Sequence, residues 1–123
     1  IADPVIVDGL PFSDVRDTRD AAQAAIDTYD GCAATQDESG REHYYRFELT
    51  TARRIRALVI DHGGADIDLH LLGGTTGADC IARDHREIVA DLAPGTYYFA
   101  LDSFASGGVA LEGEYLFIVM EEP

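Results

Sequence analysis

The chain has no lysine, no asparagine and no tryptophan, and all nine of its basic residues are arginine. Without lysine there is no P-loop phosphate ligand, no Schiff-base nucleophile and no kinase-type lysine. Basic residues are also scarce in number: 23 acidic residues oppose them and leave a formal net charge of −14. That balance excludes a nucleic-acid partner, because phosphate binding depends on cationic side chains releasing counterions. It disfavours an anionic membrane surface for the same reason. No apolar run approaches the ~18 residues that a membrane-spanning helix needs, so membrane insertion is not expected. Helix-period patterning is missing as well.

Motifs that would announce an enzyme are missing too. The four histidines, His43, His62, His70 and His85, form no His-x-x-x-His pair and no His-Glu-x-x-His zinc motif. Ser13, Ser39, Ser103 and Ser106 sit in no Gly-x-Ser-x-Gly elbow. Acids are too numerous for any two of them to stand out as a glycosidase pair. The expectation is a protein that is not an enzyme.

What the sequence does contain is two cysteines, Cys32 and Cys80. An even count without metal-type spacing predicts one disulfide and therefore an exported, extracytoplasmic chain, whether secreted, periplasmic or cell-surface. Two free thiols in a cytosolic protein are the competing reading. The 123 residues fit one domain, 1–123, which at this size buries roughly two thirds of the surface exposed by the unfolded chain. Starting at Ile1 without an initiator methionine or a signal peptide, the sequence is expected to be a mature or excised piece of something longer.

Period-two alternation is the dominant pattern. In the stretch 86–102, Ile88, Ala90 and Leu92 alternate with polar residues before Pro94-Gly95, and Tyr97, Phe99 and Leu101 alternate after it. This predicts a hairpin with a type II turn, Pro94 presetting φ and Gly95 supplying positive φ. Tyr45, Phe47 and Leu49 alternate in the same way, as do Ile55, Ala57 and Val59, then Ile67, Leu69 and Leu71, and finally Tyr115, Phe117 and Val119. Leu58 and Ile60 make the second half of 53–60 apolar on both faces, the mark of a central strand. Asp66, Asp68 and His70 would face solvent. Residues 79–82 form a short strand carrying Cys80, and Gly107-Gly108 turns the chain back. Near the N-terminus, Val5 and Val7 suggest an edge strand bounded by Pro4 and Pro11. Residues 13–41 lose the pattern and read as one long ordered loop tied down at Cys32, with a helical turn at most over 21–26. The fold class is all-β: an antiparallel β-sandwich, jelly-roll-like, of about eight strands with one long N-terminal loop and a core of about 38–120.

Clustered carboxylates in a loop are the ligand type that a hard cation takes, so calcium is the expected cofactor if there is one. Asp14 and Asp17 before the loop, and Asp37 and Glu38 after it, are the candidate ligands. A transition-metal site at Asp66, Asp68 and His70 is the weaker alternative, against the plain reading of a solvated strand face. Tyr44, Tyr97 and Tyr98 are candidates for a stacking surface, although aromatics at strand spacing are commonly core or cross-strand pairs.

Asp66-Ile67-Asp68-Leu69-His70-Leu71, then Cys80, then Leu92-Ala93-Pro94-Gly95-Thr96-Tyr97-Tyr98, and Gly113-Glu114-Tyr115-Leu116-Phe117-Ile118-Val119 together resemble the bacterial pre-peptidase C-terminal domain family. Glu38-Ser39-Gly40 leading into Tyr44-Tyr45-Arg46-Phe47 resembles the start of that pattern, and the likeness spans about 38–119. The resemblance implies a jelly-roll accessory domain without catalytic residues, attached to a larger secreted or cell-envelope protein and serving binding, targeting, secretion or solubility. In the related collagen-binding domains of bacterial collagenases it implies calcium-assisted binding. There, acids ahead of the first core strand hold the ion, the place that Asp37 and Glu38 occupy here. The Glu-Pro-Asn type linker of those relatives is absent. Expected partners are other domains of the parent protein and an extracellular protein or polysaccharide. A free-standing calcium-dependent lectin-like domain is the alternative, and a small hydrolase the third.

Overall fold

In the computed structural model, which describes Ile1 and residues 3–122, the alternating segments become strands. Eight have five residues or more: β2 (Phe12–Asp17), β3 (Glu42–Leu49), β4 (Arg53–Asp61), β5 (Ile67–Leu72), β6 (Cys80–Asp84), β7 (Glu87–Leu92), β8 (Gly95–Ser103) and β11 (Glu114–Glu121). Two-residue strands, β1 (Val5–Ile6), β9 (Ala105–Ser106) and β10 (Val109–Ala110), supplement them. The sheets have the orders β1-β3-β8-β5-β6 and β2-β11-β4-β7, with β9 and β10 as a separate pair. The first long strand thus pairs with the last, and the second with the seventh, which is the nested Greek-key pairing of a jelly roll.

The long strands send alternate residues into one core between the two sheets, β2 and β6 contributing only Phe12 and Ala82. Phe99 sits at its centre, stacked on Phe47 with ring centroids 5.0 Å apart and edge-on to Phe117 of the opposite sheet at 5.2 Å. Tyr97, Phe99 and Leu101 all point inward, as their spacing predicts.

The expected hairpin over 86–102 does not form. β7 pairs with β4 in the four-stranded sheet, whereas β8 lies between β3 and β5 in the other. Ala93-Pro94 is a corner at which the chain changes sheets, and Gly95 has φ of 156°, far from the roughly +80° of a type II turn. Alternation about a Pro-Gly break is the same whether the second strand pairs with the first or packs opposite it. Residues 13–17, expected to be loop, belong with Phe12 to an edge strand paired with β11. Only Phe12, on the core side, is a large apolar inward residue there, so the period was invisible. Residues 21–26 form no helical turn; short 3₁₀ turns occur instead at Thr18–Asp20 and Asp30–Cys32. β4 is interior as expected, yet Ile60 is 55% exposed, so its second face is apolar without being covered.

Residues 18–41 lie across the outer face of the five-stranded sheet as a third layer. Cys32 is bonded to Cys80 at the start of β6, with Cα atoms 5.2 Å apart. Ile26 and Tyr29 pack on Tyr44, Leu72, Cys80 and Ala100 to make a second, smaller core. The loop backbone also approaches the β5–β6 connection closely. A Cβ on Gly31 would lie 2.3 Å from the Ala78 carbonyl oxygen, and one on Gly77 2.1 Å from that of Thr28, so both positions need glycine.

Candidate functional site

Under that layer, the register of the sheet puts three acids side by side. Glu42 of β3 lies opposite Asp102 of β8, and Asp102 lies opposite Asp68 of β5. Like charges directly opposite on a sheet repel, and all three residues are buried. The loop and the sheet edge supply each acid with a different partner. Glu42 Oε1 accepts the Ala25 and Ile26 amides at 2.5 and 2.9 Å, together with the Tyr44 hydroxyl. Asp102 Oδ2 accepts the Tyr29 hydroxyl at 2.6 Å. Asp68 receives Arg83 Nη2 at 2.7 Å on one oxygen and contacts His85 Nδ1 at 2.8 Å on the other.

The next row holds His70, opposite Ala100 and Arg83. Its ring is stacked on Tyr29 with centroids 3.6 Å apart, and Nδ1 lies 3.3 Å from the Ala100 carbonyl oxygen. Nε2 comes within 3.0 Å of Glu38 Oε2 without the alignment of a hydrogen bond, and beyond the Asp68 carboxyl that lies against it Glu38 finds no hydrogen-bond partner. Burial holds the His70 imidazole neutral, with its pKa lowered to about 3.

The carboxyls respond in the opposite sense. Burial pushes Glu38 up to about 7, and it pushes Asp68 up to about 6, helped by Glu38 lying against it and opposed by Arg83 and His85. Asp102 is driven well above the usual carboxylate range by burial and then by Glu42. Such a row favours protons, cations or fixed donors between the acids.

Of the four residues expected to hold calcium, Asp14 and Asp17 belong to β2 and pair locally, Asp14 with Arg16 at 2.6 Å and Asp17 with Arg19 at 2.5 Å. Asp37 Oδ1 caps the Ser39 amide at 3.0 Å, and Glu38 turns into the buried row. These four do not gather their ligand atoms; among the described residues the group that does is Asp66, Asp68 and His85, all within 4.8 Å of one another. His70, the expected third member, faces the loop instead. The plain reading of Asp68 and His70 as solvated is overturned: both are fully buried. Tyr44 is likewise covered by the loop, and the Tyr97 hydroxyl donates to the Ala93 carbonyl at 2.8 Å. Glu42, Asp102, Tyr29, Arg83 and His85 escaped sequence reasoning. The signal for them was the cysteine pair, since a bond from Cys32 to Cys80 draws the loop over the strand beside Asp68 and His70.

No family model matches the sequence, and no curated protein is similar to it. Among solved structures, the chain is similar to the pre-peptidase C-terminal domain of a collagenase from Bacillus anthracis. The two are 16% identical and superpose with a TM-score of 0.63 over 95% of this chain and 94% of that one. The β-sandwich described above is the fold of that domain.

Proposed function

We propose that the chain is a non-catalytic accessory domain of a larger secreted or cell-envelope protein, acting there as a binding, targeting or solubility module. The observation that carries this reading is the placement of its reactive groups. His70 and Asp102 are sealed beneath residues 18–41, and Glu38 and Asp68 are buried beside them, so no organic substrate meets them. Ser103 Oγ is engaged at 2.8 Å by both Thr18 Oγ1 and the Arg41 carbonyl oxygen. A disulfide bridging 48 residues suits an oxidising compartment outside the cytoplasm. The solved structure that it resembles is itself one domain of a collagenase.

The outer face of the four-stranded sheet supports a contact-making role. Val15, Leu116 and Ile60 lie opposite one another across β2, β11 and β4, with Ile118 and Leu58 in the next row. An uncovered apolar strip on so acidic a protein is a surface suited to association. The test is retention of a reporter fusion on insoluble fibrous protein and polysaccharide, run beside a panel of ester, peptide and glycoside substrates. Retention without turnover, weakened by Ile60→Asp, supports the reading. Turnover abolished by replacing one acid or serine would overturn it.

A further inference from the structure

We propose that Asp66, Asp68 and His85, with Glu38 closing the inner side, bind one divalent transition-metal ion of the zinc class. Asp66 directly precedes β5, Asp68 lies within it and His85 follows β6, so separate chain positions bring these three together, with Glu38 near the end of the long loop against Asp68. The ligand atoms of the first three lie within 4.8 Å of one another. A tetrahedral zinc ion about 2.0–2.2 Å from each donor holds its donors about 3.3–3.6 Å apart, so side-chain shifts of about an ångström close the set.

Glu38 is the independent observation. Its side chain is 1% exposed, its carboxyl lies against that of Asp68, and apart from that contact its oxygens find no hydrogen-bond donor. Two carboxyls persist in contact only with a proton or a cation between them. The local charges point the same way. Glu38, Asp66 and Asp68 are three carboxyls facing one guanidinium, Arg83, and a divalent cation offsets the excess. Arg83 stays on Asp68 Oδ2 at 2.7 Å and leaves Oδ1, now against His85, free to ligate. An imidazole among carboxylates favours the zinc class over calcium, which takes oxygen ligands alone. Such an ion pins the C-terminal end of the loop as the disulfide pins its middle. This inference does not depend on what the apolar strip contacts.

The test is isothermal titration and thermal unfolding of the oxidised chain, freed of metal with EDTA and then given zinc, with calcium and magnesium alongside. One zinc per chain is expected, with a rise of several degrees in Tm that calcium and magnesium do not reproduce. His85→Ala and Asp66→Asn should each abolish that rise, each variant being compared with itself in EDTA because His85 also contacts the buried Asp68. His62→Ala, removing another exposed histidine, should leave it intact. No shift with zinc, an equal shift with calcium, or a shift that survives His85→Ala would overturn the proposal.

Discussion

On the outer face of the five-stranded sheet, Asp68 and His70 are fully buried beneath residues 18–41, whereas on the outer face of the four-stranded sheet Val15 and Ile60 are 61% and 55% exposed. Hydropathy alone would assign those faces the other way round. The polar face is covered because a covalent bond and a set of fixed donors meet its acids one by one. The apolar face is left open although each of its residues would gain from burial. Polar groups can therefore be interior when each finds a partner, and apolar groups can be exterior where a surface is to be used.

Breaking the cover should cost most. Replacing both Cys32 and Cys80 with serine opens a loop of 48 residues, worth about 4 kcal/mol on the chain-entropy estimate, to be measured by chemical denaturation against the oxidised parent. A cost below about 1 kcal/mol would mean that the loop lies on the sheet without depending on the bond. Asp68→Ala comes next. A solvated Asp68 would be replaced at almost no cost, but here the change strands Arg83, whose side chain is 10% exposed. The expected loss is about 3 kcal/mol, the lower end for breaking a buried pair, measured in EDTA so that no cation contributes.

A titration sharpens the same contrast. Burial raises the Glu42 pKa above its ordinary value of 4.5. An acid whose folded-state pKa is raised binds more protons folded than unfolded, so its contribution to stability falls as pH rises from about 4.5 through the raised value. Glu42→Gln keeps an acceptor for the Ala25 and Ile26 amides but does not titrate. Relative to the parent, this variant should therefore gain stability over that interval, read from Tm at a series of pH values. A difference that does not vary with pH would place Glu42 in water. The smallest effect is expected on the open face, where Ile60→Ser should change stability by no more than about 0.5 kcal/mol; a larger loss would show that face to be covered.

Most of the sandwich was legible in the sequence because burial of one strand face leaves a period of two. Tyr45, Phe47 and Leu49, or Tyr115, Phe117 and Val119, are unambiguous in that respect. Residues 12–17 were not, because an edge strand with one large inward residue carries no period. Pairing was less legible than strand existence. Pro94-Gly95 marks a break, but whether β8 turns back on β7 or crosses to the other sheet depends on contacts with β3 and β5 that are remote in sequence. The acid row was hidden for a related reason. Asp68 and His70 alternate with leucines as solvent-facing residues do, and only their position beneath Tyr29 makes them interior. Glu38 stands out for its carboxylate, but its companions, Asp66, Asp68 and His85, come from the start of β5 and from beyond β6.

The central claim, that residues 18–41 are a fixed layer of the fold, is tested most directly by amide hydrogen exchange in the oxidised protein. The Ala25 and Ile26 amides donate to Glu42, and the Glu38 amide donates to the Asp27 carbonyl at 3.0 Å. These three should exchange as slowly as the amides of β8, opening only with the whole domain. Exchange at the rate of an unstructured chain, with β8 still protected, would contradict the account and return Asp68, His70 and Asp102 to solvent.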